Sequence, residues 1–499
     1  MAFVDGSVVH VALPAIQAEF GSAFSDLQWI VNGYTLTLGA LLLAGGALGD
    51  QSGRRRIFAA GIAVFALASI ACALAPGAHS LIASRVVQGI GAAMLVPQSL
   101  AIIAASFPRS VRGRAIGTWA AFSALTTAAG PALGGVLIDA ASWRAVFWIN
   151  VPLAAGALYL TLRRVPESRS ARRERVDWYG AALATASLGA LTFALTRWPQ
   201  AEGAPGDVLA ALAAGLAAAA AFVRHVRRVP APLVPPELFR SAEFSGLNVM
   251  TLLLYAALGG ALFLLPYNLI QLQGYSATEA GLALVPLGLM IGVLSRYSGR
   301  VSDRIGPRPP LIAGALLVAA GCAGLALPGI GGGYVGTFFV PILLIAAGMG
   351  TAVSPLTTAV MNAVPDDRAG SASGVNNAAS RIAGLLAVAL SGAIATAVFT
   401  GALETRLEPL DVPAALERQM LDDAERLAEL EIPAAVSSEQ RPALRRAIDD
   451  AFLGAFRAGA LLNAVLAAVA AGIAAVLFRR RGPQVGRLSG AGDSRARRR

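Results

Sequence analysis

Four ionisable side chains, Asp5, His10, Arg85 and Arg381, stand inside stretches that are otherwise apolar. Carrying a charge into hydrocarbon costs at least ~2.5–3.5 kcal/mol, so each of them needs a partner or a purpose. Asp5 is the leading candidate proton carrier, because a carboxyl there can trade its charge for a proton taken up on one side of a membrane and given up on the other. The alternative is an interfacial acid near the N-terminus. Arg85 keeps its proton under all ordinary conditions. Its expected role is a fixed positive charge that favours a nearby carboxylate in one conformation and withdraws in another, against a structural arginine bonded to backbone carbonyls. Gln88, one turn from Arg85, suits a hydrogen bond between helices or a place on a pocket wall. His10 is a second titratable candidate or a packing residue. It lies about 140° around a helix from Asp5, so the two are not expected to pair.

Other chemistries find no footing. There is no GxGxxG after a strand, no Walker loop and no HExxH, and His10, His79 and His225 complete no Ser-His-Asp arrangement. Cys72 and Cys322 lie in apolar runs without metal-ligand spacing. No enzyme, cofactor or metal is therefore expected, and with no nucleotide site an ion gradient is the expected energy source.

The elements that must position these residues are transmembrane helices. The 499 residues are 56% apolar and 14% charged, and apolar runs of about twenty residues match a ~30 Å hydrocarbon layer at 1.5 Å rise per residue. Fourteen such runs are read, near 1–20, 27–49, 57–75, 81–105, 114–138, 145–162, 177–195, 206–223, 245–268, 277–298, 310–328, 335–356, 372–398 and 457–478. The first is short before the charged QAEF stretch, so either the start lies upstream or the helix begins at the membrane edge. No cleavable signal peptide is visible.

The net charge of +11 comes from 40 basic residues, all of them arginine. They are not gathered on one face, which argues against nucleic acid. They fall in the loops after even-numbered runs and in the tail, whereas the odd-numbered loops hold only Arg144 and Arg197, apart from one long segment. By the positive-inside rule both termini are expected in the cytoplasm. The exception, 399–456, is acid-rich with heptad-like pieces such as LERQMLDDAERLAEL. It reads as an extracytoplasmic helical hairpin, either a solvated cap or a docking surface.

An internal repeat organises the chain. Gly46-x-x-x-Asp50-x-x-Gly53-x-Arg55 recurs at identical intervals as Gly299-x-x-x-Asp303-x-x-Gly306-x-Arg308. Each copy follows the second helix of a six-helix group if the chain is divided as 1–162, an inserted helix pair with linkers at 163–244, 245–478, and a basic tail at 479–499. The glycines suit close helix approach and a tight reversal. Asp50 and Asp303, with Arg54, Arg55 and Arg308 nearby, would accept from helix N-termini or pair with arginines in a cytoplasmic latch. Parallel repeats around a central cavity are the architecture of a rocking transporter.

On these residues the sequence resembles the major facilitator superfamily, in particular its fourteen-helix drug:proton antiporter branch of the EmrB/QacA type. GALGDQSGRRR resembles the loop motif of the superfamily. LIASRVVQGIGAAMLVP, with Arg85, Gln88, Gly89, Gly91 and Pro97, is similar to the proton-coupling motif, and AAGPALGGVL, with Gly130, Pro131, Gly134 and Gly135, resembles the antiporter motif associated with export. FVDGSVVHVALPAI, LQWIVNGYTL, WRAVFWINVP, QGYSATEAGLALVP and DDRAGSASGVNNAASRIAG fit the fourteen-helix branch. His10 stands where that branch usually has Asn, and Thr126 where the antiporter motif usually opens with Gly. The resemblance implies an all-α membrane protein of two six-helix bundles plus two inserted helices. It also implies proton-coupled export of hydrophobic or cationic compounds across the cell (inner) membrane. A dedicated exporter of one endogenous metabolite or antibiotic is the close alternative, and a non-transporting scaffold or sensor a distant one. Trp29, Tyr34, Gln88, Phe122, Phe263, Tyr267, Asn376 and Arg381 are the expected wall of a drug cavity. A periplasmic adaptor is a further partner that the resemblance allows.

Overall fold

The computed structural model describes residues 1–169, 176–200, 205–365, 368–410 and 412–477. Among these residues the chain is helical throughout, with no strand. Six long helices come first: α1 (Ala2–Phe20), α2 (Phe24–Ser52), α3 (Arg54–Ala73), α4 (Ala78–Ser106), α5 (Arg109–Ala140) and α6 (Ala145–Arg164). A pair follows, α7 (Trp178–Arg197) and α8 (Gly206–Val226). Then come α9 (Ala242–Leu272), α10 (Ala277–Ile305), α11 (Arg308–Leu325), α12 (Val335–Asn362), α13 (Ala369–Leu407) and α14 (Arg441–Leu477).

Twelve of the described helices are long and apolar enough to cross a membrane. α1 falls short of that measure, since it carries Asp5, Gln17 and Glu19; α5 is apolar through its C-terminal half, Leu125–Ala140. The composition of α1 follows from its surroundings: it packs on other helices and on a central cavity, where polar side chains find partners. α8 is the opposite case. Only 11% of its most apolar stretch is buried, and apart from α7 it has little to pack on, so its surface suits lipid.

The packing repeats itself. α4 lies between α2 and α3 as α12 lies between α10 and α11, and α1 pairs with α5 as α9 pairs with α13. The seams between the two groups obey the same exchange, α5 against α10 and α13 against α2. α7 leans on the outside of the α2–α13 seam. The chain reversals match as well, since Gly53 (φ 116°) and Gly306 (φ 83°) both take backbone angles that L side chains rarely adopt.

The segment after α13 is not a free hairpin. α13 runs to Leu407 and α14 already starts at Arg441, leaving a short helix, Ala414–Asp422, and a 3₁₀ turn, Asp423–Glu429. Met420, Ala424, Leu427, Ala428 and Leu430 are buried in the main core. Gln17 of α1 donates to the Arg426 carbonyl (3.1 Å), and Gln271 of α9 bonds Glu429. The apolar positions that read as a heptad seam are spent on the ends of the bundle, so this piece forms a lid over it.

Candidate transport site

The expected ionisable residues meet in one buried cluster. Asp5 and Arg85 are 0% and 1% exposed, and Nη1 of Arg85 lies 2.5 Å from Oδ2 of Asp5. The other carboxylate oxygen accepts from Nε2 of Gln88 (2.9 Å) and Nδ2 of Asn150 (3.0 Å). Gln88 also donates to Ser69 (2.8 Å) and accepts from Arg85 (2.6 Å), while Nε of Arg85 donates to the Ile30 carbonyl (3.0 Å). The Tyr34 ring stacks on the guanidinium, 4.3 Å from its centroid. Helices α1, α2, α3, α4 and α6 thus each contribute to holding one carboxylate. Such a pair is self-consistent only while both charges are present, because removing one leaves the other buried without compensation, at ~3–5 kcal/mol.

On the opposite face of α1 lies a cavity of about 480 Å³. Phe3, Gly6, Ser7 and His10 recur at helical spacing along its wall, which places His10 on the side of α1 away from Asp5. α5 adds Ser123, Thr127, Ala128 and Pro131; α9 adds Tyr255, Leu258 and Leu262; α10 runs from Leu284 to Ile291; and α13 supplies Asn377, Ser380 and Arg381. The imidazole of His10 meets Phe263 edge-on (6.5 Å), and its Nδ1 is buried without a hydrogen-bond partner.

The cavity is sealed towards the end of the molecule that carries the lid. A Cβ on Gly135 would come 2.2 Å from the Ala277 carbonyl oxygen, and one on Gly281 would come 2.2 Å from that of Pro131. α5 and α10 therefore touch backbone to backbone, a contact only glycine permits. Oδ2 of Asp139 accepts from the Thr278 N–H (2.8 Å), and at the other seam Gln28 donates to the carbonyls of Val388 (2.8 Å) and Ala389 (3.1 Å). Towards the arginine-rich end the same two helices present exposed Val111 and Phe122, and Tyr297 and Val301.

A family model described as Major Facilitator Superfamily matches residues 1–388. The chain belongs to the major facilitator superfamily. It is 34% identical over 432 residues to the multidrug resistance protein Stp of Mycobacterium tuberculosis, covering 84% of this chain and 78% of that one. It is 36% identical over 402 residues to the methylenomycin A resistance protein of Streptomyces coelicolor, covering 79% and 83%. Among solved structures, a bacterial homologue of the human lysosomal transporter Spinster, in an inward-facing and unoccupied conformation, superposes with a TM-score of 0.67 at 18% identity, covering 97% and 96% of the two chains.

In this facilitator the two loop repeats differ in their bonding. Asp50 pairs with Arg54 (2.8 Å), Arg54 N–H donates to the Ser168 carbonyl, and Arg55 N–H to Glu167 (3.0 Å), whose carboxylate fills the space a Cβ on Gly53 would need. Asp303 is exposed, with no ion pair among the described residues, and Arg308 is exposed. Gly46 sits in ordinary contact with Pro97, whereas a Cβ on Gly299 would crowd Ser354 at 2.9 Å. Gly130 and Gly134 face inward on α1, where a Cβ would collide with Ser7 and Val8.

Of the residues expected on the cavity wall, Arg381 is there and the rest stand elsewhere. Tyr34 and Gln88 belong to the ion-pair cluster. Phe263 and Tyr267 are buried against Phe24, both at 5.2 Å. Asn376 donates to Thr251 (2.7 Å) and Asn248 (3.2 Å), leaving its neighbour Asn377 on the wall. Phe122 is 64% exposed while Ser123 faces inward, and Trp29 is half-buried away from the cavity. Neighbours on a helix point about 100° apart, so a wall read one residue out of phase misses the cavity. Asn150 and Ser69 were not singled out. The signal for both was a polar side chain in an apolar run, which has to find a partner.

Proposed function

We propose that this facilitator is a proton-coupled exporter of small amphipathic compounds, of the fourteen-helix drug:proton antiporter type. The observation that carries this reading is the buried Asp5–Arg85 pair, set on the opposite face of α1 from the cavity. Protonation of Asp5 cancels one charge and frees Arg85. Rearrangement that gives Arg85 another partner is then favoured, and loss of the proton draws the pair together again. Because α1 also forms part of the cavity wall, that rearrangement reshapes the cavity. Cargo entry and proton exit thereby become alternatives.

In this reading α1 and α5 cross the membrane with the other twelve helices. The chain divides at 1–162, 163–244, 245–478 and 479–499, with Asp5, Arg85 and His10 in proton coupling and the glycine-aspartate loops in gating. The arginine-rich end faces the cytoplasm of the cell. The names of the relatives support export. One of them is named for resistance to a single antibiotic, which favours a narrow cargo range as the second reading.

Inverted vesicles loaded with the reconstituted chain test this directly. An imposed proton gradient is expected to drive accumulation of fluorescent drugs, and adding drug is expected to release protons. Accumulation that ignores the gradient would remove the coupling.

A further inference from the structure

The charge of the cavity wall is one-sided. Arg381 is its charged side chain, and no aspartate or glutamate lines it among the described residues. Among the described residues Arg381 takes part in no ion pair and no hydrogen bond, and its ring contact is with Phe3, 6.0 Å away. It is half-buried and lies twelve residues into α13, ~18 Å along the helix from its arginine-rich end. Asp5 cannot serve it, since both oxygens of that carboxylate are taken by Arg85, Gln88 and Asn150 on the far side of α1.

The remaining polar groups deepen the asymmetry. The hydroxyls of Ser7, Ser123, Thr127 and Ser380 donate to carbonyls of their own helices, so they are not free donors. Of the polar groups that remain, His10, Tyr255, Asn377 and Arg381, only Arg381 carries a fixed charge, and its planar fork matches a carboxylate in two parallel hydrogen bonds.

Resting on the export reading above, we propose that the cavity selects amphipathic anions, compounds with one carboxylate or similarly charged oxygen group on an apolar frame, and that Arg381 pairs with that group. The resemblance to drug pumps implied hydrophobic or cationic cargo; the wall carries the same sign as a cation. A cation would meet a guanidinium with no carboxylate on the wall to offset it, whereas an anion supplies the counter-charge that the wall lacks.

The test uses the full chain and three probes on one naphthyl frame: a carboxylate, its methyl ester, and an amide bearing a trimethylammonium group. Binding to detergent-solubilised protein and transport in proteoliposomes under a proton gradient are measured separately. The carboxylate is expected to bind at least roughly tenfold more tightly than the cation, a difference of about 1.4 kcal/mol. Arg381→Gln is expected to abolish that preference while leaving ester binding within about twofold, which also shows the variant to be folded, and Arg381→Lys to keep part of it. Cation binding equal to or tighter than carboxylate binding, or carboxylate binding unchanged in Arg381→Gln, would overturn the proposal. Transport of the ester without any carboxylate preference would overturn it and leave export standing. Carboxylate preference in binding with no transport of any probe would overturn export and leave the anion site.

Discussion

At the scale of the residue, the site is a carboxylate with three donor groups around it and no water-facing edge. Asp5→Asn keeps the shape and removes the charge. We expect drug-driven proton release to fall at least roughly tenfold, with insertion retained, as read by a pH dye in vesicles; full coupling in that variant would clear Asp5 of the role. Asn150→Ala takes away one of the donors to Oδ1 and leaves the ion pair. Lost donors to a charged acceptor are worth ~1.5–3 kcal/mol, so the unfolding profile is expected to move to lower temperature in fluorescence-monitored melting. A profile superimposable on that of the parent would show the bond from Asn150 to carry no weight. Asp5 and Arg85 were legible in the sequence because a charge in an apolar run is rare and conspicuous. Asn150 was not, because a neutral amide in such a run costs less and declares its purpose only once its partner is in view.

At the scale of the element, two contacts carry consequences. Gly281 meets the backbone of α5 with no room for a side chain. Gly281→Leu is expected to hold α5 and α10 apart at the lid end and to reduce transport severely. Its cost in stability should stay near the ~1–3 kcal/mol of an overpacked contact, checked by fluorescence-monitored melting. Normal transport would mean this seam never needs to close. The second contact ties α7 to α8. Asp177, just before α7, accepts from the N–H groups of Gly180 (2.8 Å) and Leu233 (3.2 Å) and meets Nε2 of His225 (2.7 Å). Burial opposes its ionisation, but these bonds outweigh it and hold the carboxyl below its ordinary value. A carboxyl depressed by folding stabilises the protein above its unfolded pKa, and that contribution is lost as pH falls through the folded one. Asp177→Ala should therefore cost about 1 kcal/mol or more at pH 7. The difference in melting temperature should shrink below the ordinary aspartate value of 3.8. A gap that persists in acid would locate the effect in packing. The helix ranges themselves were readable from hydropathy to within a few residues for most of the chain. The failure came at 399–456, where a period of seven was taken for a hairpin, although an apolar stripe says only that something covers it, not what.

At the scale of the whole molecule, the exchange of α1–α6 packing for α9–α14 packing was foreshadowed by one repeated loop, whose glycines share a backbone shape but whose acids do not share a bonding pattern. A sequence repeat reports common backbone; which side chains are engaged at a given moment depends on the state of the seams. With the lid end sealed, a cysteine in place of Ser380 should react with a charged thiol reagent from the arginine-rich side, and much more slowly from the other. Cys72 and Cys322, both buried, should contribute little background. Equal reaction from both sides would contradict the seal. Cavity residues were the least legible part, because their direction depends on how each helix is rotated, which hydropathy constrains only loosely when both faces of a helix are apolar.

The position of α1 has a bearing on how such a pump can change. On the proposed reading, fuel sensor and cargo berth share a rod, the Asp5 stripe reading acidity and the cavity stripe reading shape. Alterations to the berth can redirect the machine to new molecules while its engine runs untouched, so variants with a changed repertoire should still admit the same number of protons per molecule expelled.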